Sequence, residues 1–474
     1  AFPEDPRYDY QPEVVARLIK HGQIIAQVAT GGGKSRIARL AYARINRPTL
    51  FLTTRSILMY QMKETFENDL GVQCSVLGDG HFGHTRADGT QAVKKMSVGM
   101  VQTLISRLEE TTVEREFEAL YQVEDKAFDA ELERMRKALT AAGTNPVILK
   151  AKLAEAERAN RAKLKKMAPA LTAKAQERAQ EKARIRQQTI NLLGMFEFVI
   201  LEEAHEASGN SYFEILRHCR NAHYRLALTA TPFMKDSEES NMRLMACSGP
   251  IAIKVTEKML IDRGILAKPY FKIVKLKDRP AKLMRSTGWQ AAYRLGITTN
   301  IERNSITCNN VVDAMRYGLT SMILVQHTAH GQDLEKQLKA CGVRCAFIKG
   351  ENDQDERKRY LGMLGRNEID CLIGTTILDV GVDVPSVGLI VLAGGGKAEV
   401  ALRQRIGRGL RAKKAGPNVA FIVDFDDPFN SHTAEHALKR LAIIQATEGF
   451  AENIIAANDF DFDGLGFTQE KRAA

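Results

Sequence analysis

The sequence has few cysteines, no long apolar run and no paired metal-binding spacing. Its 474 residues include seven cysteines, an odd and scattered set without a C-x-x-C pair, so neither a disulfide framework nor a structural zinc site is indicated. No uncharged apolar stretch of about 18 residues occurs, and the first residues lack the basic-then-apolar pattern of a secretion signal. We therefore expect a cytoplasmic protein with no membrane partner.

The charge balance is basic. Lys and Arg number 68 against 57 Asp and Glu, which gives a formal net charge of +11 and a sequence pI near 9.2. This balance suits a polyanionic partner such as nucleic acid, although a merely basic protein has it as well. The length exceeds what one core of about 150–250 residues holds, so two domains are expected, with some chain left over.

Short apolar runs bounded by turn residues alternate with helical patterns in two separate series. The first series covers 24–112 and 194–247, and the second covers 320–426. Strands that alternate with helices pair in parallel, which predicts an α/β fold of two tandem lobes. The predicted divisions are a first lobe at 1–247, a linker at 248–268, a second lobe at 269–426, and a C-terminal helix and tail at 427–474.

A helical segment interrupts the first lobe at 113–190. Ala, Glu, Lys, Arg and Leu dominate there, and apolar residues recur at three- and four-residue steps on both sides of Ala142–Pro146. This pattern predicts a long antiparallel helical hairpin that turns at Ala142–Pro146, with a kink or restart at Pro169. Residues 158–186 carry ten basic and two acidic side chains. Such a run is usually a solvated helix face, and contact with nucleic acid is the alternative.

A glycine-rich turn, Ala29-Thr30-Gly31-Gly32-Gly33-Lys34-Ser35, follows a strand-like run and precedes a helical pattern. Glycines let backbone N–H groups turn inward around a phosphate, Lys34 can meet the β- and γ-phosphates, and the Ser35 hydroxyl can bind Mg²⁺. The strict pattern has Gly where this chain has Val28. The turn predicts a phosphate-binding loop, and a purely structural turn is the alternative.

A second candidate site follows the apolar run Phe198–Leu201, which ends in Glu202 and Glu203. In nucleotide hydrolases with such a phosphate loop, the first acid at this kind of strand end holds Mg²⁺. The following Glu can align and deprotonate the attacking water.

These segments resemble the ordered motifs of superfamily 2 helicases. Glu202–His205 is similar to the DEAH form of motif II, but Glu202 replaces the usual Asp and is one methylene longer. Further matches run in family order: Tyr10–Gln11 with the glutamine motif, Ala29–Ser35 with motif I, Thr53–Arg55 with Ia, Gly99–Thr103 with Ib, Leu228–Pro232 with III, Gly374–Thr376 and Asp379–Pro385 with V, and Gln404–Arg411 with VI.

The resemblance implies two RecA-like lobes with ATP and Mg²⁺ held in the cleft between them. The implied catalytic residues are Lys34, Glu203, Gln404, Arg408 and Arg411, with the two arginines acting as fingers. The implied nucleotide contacts are Tyr10, Gln11, Thr30, Gly31, Gly32, Gly33, Lys34, Ser35, Gly381 and Asp383, and the Mg²⁺ contacts are Ser35 and Glu202. The residues implied to contact the nucleic-acid strand are Thr54, Arg55, Gln102, Thr103, Thr375 and Thr376.

Three further segments, 260–269, 300–304 and 393–396, resemble the DNA-remodelling branch of the superfamily, which includes phage branch-migration helicases of the UvsW type. That branch implies a motor that unwinds or branch-migrates forked and junction DNA in phage or bacterial recombination, repair or replication, and hence a protein of the bacterial or phage-infected host cytoplasm. We expect it to act as a monomer, and the sequence indicates no stable protein partner.

Three other functions remain open: an RNA helicase, the translocase motor of a restriction-type complex, and a scaffold that binds ATP without hydrolysing it. No nuclease-like PD…ExK pattern accompanies the motor, and a scaffold requires that Glu202 disable the metal site. His432 and His436 lie four residues apart on a predicted helix but lack an acidic third ligand, so we expect no metal there.

Overall fold

The computed structural model describes residues 5–85, 91–204, 210–232, 238–349, 354–375, 387–396, 406–407, 410, 412–413, 416–455 and 459–469. Within this part of the chain, no helix is both long enough and apolar enough to cross a membrane.

The first lobe is built on an eight-stranded sheet with the strand order β10-β1-β9-β8-β2-β7-β3-β4. All neighbours in it pair in parallel except β3 and β4. The strands are β1 Gln23–Val28, β2 Thr49–Thr53, β3 Cys74–Gly78, β4 His81–Phe82, β5 His84–Thr85, β6 Gln91–Ala92, β7 Met96–Met100, β8 Phe198–Glu202, β9 Tyr224–Thr229 and β10 Ile251–Val255; β5 and β6 form a separate hairpin.

Helices cover this sheet, which explains the nearly continuous burial of its central strands. Residues of β2 and β8 are buried along their whole length. The helices are α1 Tyr10–His21, α2 Lys34–Ile45, α3 Ser56–Leu70, α4 Val101–Leu108, α5 Val113–Ala141, α6 Pro146–Leu193, α7 Asn210–Leu216, α8 Glu238–Ser248 and α9 Glu257–Asp262.

The predicted helical hairpin is confirmed as α5 and α6. Thr112 caps the first helix, Gly143 takes a positive φ of 69° in the turn, and Asn145 caps the second helix, which begins at Pro146. A small apolar core of Leu120, Leu171 and Ala175 lies between the arms. The second helix does not restart at Pro169 but continues for 48 residues to Leu193.

The second lobe is a six-stranded parallel sheet with the order β11-β16-β15-β12-β14-β13. The strands are β11 Lys268–Lys275, β12 Ser321–Leu324, β13 Cys345–Ile348, β14 Cys371–Gly374, β15 Leu389–Val391 and β16 Val419–Asp426. The helices are α10 Trp289–Tyr293, which continues as a π-helical turn Arg294–Thr298, then α11 Ile301–Arg316, α12 Thr328–Ala340, α13 Gln354–Gly365 and α14 Ser431–Ala446.

Aromatic residues of the C-terminal tail pack onto the second lobe. Phe460 and Phe462 each lie with their ring centroids 4.7 Å from that of Phe421 in β16, and Phe467 lies 5.7 Å from it. The Nζ atom of Lys272 in β11 pairs with Asp459 at 2.9 Å. The tail therefore completes the apolar core on one face of this sheet.

The segment between the lobes differs from the linker predicted at 248–268. Its residues Ile251–Val255 form β10, which pairs with β1 at the edge of the first sheet. Leu260 and Leu266 are buried in an apolar cluster that also contains Ile37 of the first lobe and Ile422 of the second. The connection between the two sheets is therefore shorter than predicted and begins after Val255. Its apolar residues are packed into the apolar core rather than exposed.

Candidate nucleotide and nucleic-acid site

The predicted phosphate loop joins the end of β1 to the start of α2. Gly31 and Gly33 take φ values of 88° and 80°, the left-handed region that glycine adopts without strain. Lys34 is the first residue of α2, where free backbone N–H groups and the helix dipole favour an anion. The local backbone therefore fits a phosphate group.

Two side chains of α1 form hydrogen bonds to this loop. The Tyr10 hydroxyl and the Gln11 amide nitrogen both donate to the carbonyl of Gly32, at 2.7 and 3.2 Å. Burial raises the pKa of Tyr10 to about 12, so its hydroxyl keeps the proton that it donates. The Oε1 atom of Gln11 is buried and accepts no hydrogen bond from the described residues, which fits an amino group of a base bound there.

Each loop glycine fills a space that a larger side chain could not. A Cβ atom at Gly31 would lie 2.7 Å from the Leu266 side chain, and one at Gly33 would lie 2.5 Å from the Gln11 amide nitrogen. The loop is thus pressed between α1 and the segment that leads to the second lobe.

The two predicted carboxylates lie on the same edge of the sheet as the phosphate loop. Strand β9 separates β1 from β8, and parallel pairing brings all three carboxyl ends together. Glu202 is buried at the end of β8. Glu203 follows with a φ of 49°, an uncommon conformation for a non-glycine residue and one that concentrates at functional sites.

The predicted motif III segment lies between these two groups. The Gln27 amide donates to the carbonyl of Ala230 at 3.3 Å, and the Thr231 N–H donates to the Thr229 hydroxyl at 3.2 Å. The first bond joins the turn after β9 to the strand that carries the phosphate loop, and the second lies within the segment that contains the turn.

The second lobe reaches the phosphate loop through the helical turn at residues 406–407. A Cβ atom on Gly407 would lie 2.8 Å from the Cβ of Thr30. The N–H of Ala267 donates to the carbonyl of Leu410 at 2.6 Å. Six predicted site residues lie outside the described residues: Thr376, Gly381, Asp383, Gln404, Arg408 and Arg411.

The residues of the first lobe predicted to contact nucleic acid lie together at the carboxyl ends of its parallel strands, the sheet edge that also carries the phosphate loop. Thr54 and Arg55 follow β2, while Gln102 and Thr103 belong to the first turn of α4, directly after β7. Strands β2 and β7 are paired, with Thr53 opposite Met100. In the second lobe, Thr375 follows β14, and its N–H donates to Ile348 at 3.4 Å.

Sequence reasoning missed a clamp on the loop Ala393–Gly396, which follows β15 and precedes the predicted motif VI. Each carbonyl of this loop accepts a hydrogen bond from a different side chain. The donors to residues 393, 394, 395 and 396 are Arg303, Tyr293, Gln326 and Arg440, in that order. The loop and the segment 300–304 were both visible in the sequence, but nothing there showed that they bond to each other.

Two family models match the chain and together cover more than half of it. "Type III restriction enzyme, res subunit" matches residues 5–234, and "Helicase conserved C-terminal domain" matches residues 302–413. The chain is a superfamily 2 helicase. Its two parallel sheets are accordingly the tandem RecA-like lobes of this superfamily, so the expected fold class is confirmed.

Curated relatives of this helicase are distant and longer. It is 24% identical to "Putative helicase 22" of Sulfolobus islandicus filamentous virus, over 46% of this chain and 40% of that protein. It is 22% identical to "ATP-dependent DNA helicase uvsW" of Enterobacteria phage T4, over 49% of this chain and 46% of that protein. The chain therefore spans less than half the length of either relative.

Two solved structures show the same fold as this helicase. The structure titled "DUF1998 helicase MrfA bound to DNA and AMPPNP" has a TM-score of 0.55 at 12% identity, covering 93% of this chain and 53% of that one. The structure of S. cerevisiae Dbp5 "bound to RNA and ADP BeF3" has a TM-score of 0.50 at 13% identity, covering 94% and 88%. At these identities the likeness concerns the fold alone.

Proposed function

We propose that the chain is an ATP-dependent DNA helicase or translocase that unwinds or branch-migrates forked and junction DNA, in the cytoplasm of a bacterium or a phage-infected host. The observation that carries the motor function is the shared sheet edge: the phosphate loop, the two carboxylates and the turn at Gly407 of the second lobe meet there. The distant match to a phage DNA helicase favours DNA. The resemblance of residues 260–269, 300–304 and 393–396 to DNA-remodelling helicases favours a role in recombination, repair or replication.

In this proposal the residues of the first lobe bind and hydrolyse ATP. Tyr10 and Gln11 lie beneath the base, Lys34 meets the phosphates, and Ser35 and Glu202 hold Mg²⁺, which would neutralise charge on the phosphate oxygens. Glu203 orients the attacking water and accepts its proton. The left-handed backbone at Glu203 is an uncommon conformation of the kind that concentrates at functional sites.

The second lobe would supply two guanidinium groups. Arg408 directly follows Gly407, which touches the phosphate loop, and Arg411 directly follows Leu410, which is bonded to Ala267. These neighbours support arginine fingers at the phosphates, where planar, permanently charged groups stabilise the transferring phosphoryl oxygens. We further propose that Gln404, Gly381 and Asp383 complete the nucleotide site from this lobe. Hydrolysis would then depend on contact between the lobes.

Contacts with the nucleic-acid strand on both lobes would couple the closing of the two lobes around ATP to movement along that strand. Thr54, Arg55, Gln102 and Thr103 would hold the backbone on the first lobe, and Thr375 and Thr376 would hold it on the second. A change in distance between the lobes then moves one set along the strand relative to the other. We expect a monomer to be sufficient for translocation, because both sets of contact residues belong to one chain.

The deciding experiment measures phosphate release and unwinding by the wild-type chain with single-stranded, duplex, forked and four-way-junction DNA, and with matched RNA. We expect forked and junction DNA to stimulate phosphate release most. Glu203→Gln should lower the stimulated rate by about a hundredfold or more, since general-base catalysis contributes on that scale. Binding of the nucleotide should persist, because Lys34 is intact.

Each other result identifies an alternative. Preferential stimulation by RNA would assign the chain to RNA helicases, which share the fold of the Dbp5 structure. Stimulation by duplex DNA without strand separation would favour the motor of a restriction-type complex, in keeping with the first family model. No phosphate release from the wild type, but release from Glu202→Asp, would show that Glu202 disables the metal site and that the chain is an ATP-binding scaffold.

A further inference from the structure

We propose that an aromatic surface on the second lobe stacks against unstacked bases of the bound single strand. The surface, called here the Trp289 platform, consists of Trp289, Tyr293, His327, His432 and His436. This inference rests on the proposed function, because it adds a base-binding site to the path of the strand.

The five rings form one connected group. The Trp289 ring centroid lies 4.6 Å from that of His436, 6.3 Å from that of His432 and 5.2 Å from that of Tyr293. Tyr293 in turn lies 4.8 Å from His327. Tyr293 is buried, whereas Trp289 and His432 are exposed and 36% of the Trp289 surface remains open to solvent. The buried ring supports an outer layer that a base can reach.

Buried hydrogen bonds hold the platform in place. Asn430 is fully buried, and its amide nitrogen donates to the carbonyls of Met284, Arg285 and Thr287 at 3.0, 3.2 and 2.9 Å. Its amide oxygen caps α14 by accepting from the N–H of His432. One residue thus fixes both the segment before Trp289 and the helix that carries the histidines. A rigid aromatic surface loses little conformational entropy on binding.

The platform lies beside the sheet edge at which the second lobe is proposed to bind the nucleic-acid strand. His327 follows β12, and β12 pairs directly with β14, whose end carries Thr375. Tyr293 donates to the carbonyl of Gly394 in the clamped loop after β15, the other neighbour of β12. The three strand ends and the platform therefore lie side by side.

The composition of the surface fits a nucleobase better than a protein side chain. Arg285 and Arg294 are exposed and flank Trp289 in the sequence, so positive charge accompanies the rings. Basic groups that track the phosphates, combined with rings that stack on bases, are the usual means of binding single strands. The π-helical turn that starts at Arg294 adds an irregularity often found at functional sites.

The chain contains a single tryptophan, so its tryptophan fluorescence, excited selectively over that of tyrosine, comes from Trp289 alone. The experiment titrates the full chain with an oligothymidylate, following tryptophan fluorescence and, separately, the anisotropy of a labelled copy of the same oligonucleotide. An oligouridylate of equal length tests RNA. We expect quenching of Trp289 to follow the binding curve, because a stacked base quenches the indole.

Substitutions then separate stacking from a structural role. Trp289→Ala should weaken oligothymidylate binding about tenfold, on the scale that one stacked base contributes, while Trp289→Phe should weaken it much less. The matched control is Leu438→Ala, which removes an exposed apolar side chain (64% exposed) from the same helix as the histidines and should leave binding unchanged. Circular dichroism melting checks that each variant is folded.

Two distinct failures are possible. If the oligonucleotides bind but Trp289 fluorescence does not change, or Trp289→Ala binds as tightly as the wild type, the platform is not a base-binding surface. The wild-type titration alone can give this result, even if Trp289→Ala does not fold. If neither oligonucleotide binds, the proposed motor function fails instead.

Discussion

At the scale of single residues, buried charge in the second lobe surrounds the clamped loop. Arg303 is fully buried and pairs with Asp427, and Arg440 pairs with Asp424 at 2.9 Å. Removal of one partner from such a pair typically costs about 3–5 kcal/mol, because the other charge stays buried. Both arginines also donate to the loop Ala393–Gly396. The position of the loop is therefore tied to the stability of the lobe.

His330 belongs to the same region and should make stability depend on pH. Burial, together with the nearby charge of Arg303, lowers the pKa of His330 from 6.5 to about 3. Its Nε2 atom lies 2.9 Å from the Oδ1 atom of Asn304. Between pH 6.5 and 3 the unfolded chain binds a proton that the folded chain does not, so stability falls as the pH falls.

We expect His330→Gln to reduce this loss of folding stability at low pH. The loss amounts to at most about 1.4 kcal/mol for each pH unit. Urea unfolding of the second lobe at pH 7, 5.5 and 4.5 measures it. The control is His432→Gln, since His432 is an exposed histidine of the same lobe and should leave the slope unchanged. Equal slopes for the wild type and His330→Gln would refute the assignment.

At the scale of elements, the sequence predicted those segments whose signals are local. Apolar runs located the strands β1, β2 and β8, and the composition of 113–190 located both arms of the hairpin, because helix propensity and periodicity act within a few residues. Pro169 was expected to kink or restart the second arm, yet α6 continues past it. Packing against the first arm at Leu171 and Ala175 offsets the bond that proline removes.

The sequence did not reveal how distant segments meet. The pairing of β10 with β1, the contact of Gly407 with Thr30 and the four donors to the loop Ala393–Gly396 all join residues far apart in the chain. Such contacts depend on the order of the strands, which periodicity does not encode. The same limit applied to Trp289 and His436, which lie almost 150 residues apart and meet only in the folded lobe.

The basic run on α6 gives a prediction for this element. Lys165 and Lys166 are exposed, and no ion pair involves either of them among the residues that the structure describes. If this face contacts duplex DNA, Lys165→Glu with Lys166→Glu should weaken forked-DNA binding several-fold and reduce its salt dependence, because fewer counterions are released. Fluorescence anisotropy at two salt concentrations measures both effects.

The control for that experiment changes the other arm. Arg134→Glu with Lys137→Glu makes the same change of charge on exposed residues of α5, whose overall charge is acidic. Unchanged fork binding by the Lys165 and Lys166 variant would mean that α6 presents only a solvated face. Equal weakening by both double variants would indicate a general charge effect rather than a binding face.

At the scale of the whole molecule, the contact between Gly407 and Thr30 links the two lobes. A methyl group at residue 407 would lie 2.8 Å from the Thr30 Cβ, so Gly407→Ala must push the phosphate loop and the second lobe apart. We expect the DNA-stimulated ATPase rate to fall between about tenfold and a hundredfold, since small misplacements of catalytic groups have effects of that size. Phosphate release measures the rate.

Thermal melting of each lobe should change little in Gly407→Ala, because the new methyl group lies between the lobes rather than within either core. Gly194→Ala is a suitable control: a Cβ there would meet its nearest neighbour at an ordinary 3.5 Å. A normal ATPase rate in Gly407→Ala would show that this contact does not govern hydrolysis.

The C-terminal tail has a consequence for how the chain is made. The first sheet is complete once residue 255 has been synthesised, and its hairpin folds through contacts near in sequence. In the second lobe, β11 must wait for β16, some 150 residues later. The tail rings that pack on Phe421, those of Phe460, Phe462 and Phe467, follow later still. We therefore expect the two lobes to fold one after the other on the ribosome, and the second lobe to expose apolar surface until its tail has been synthesised.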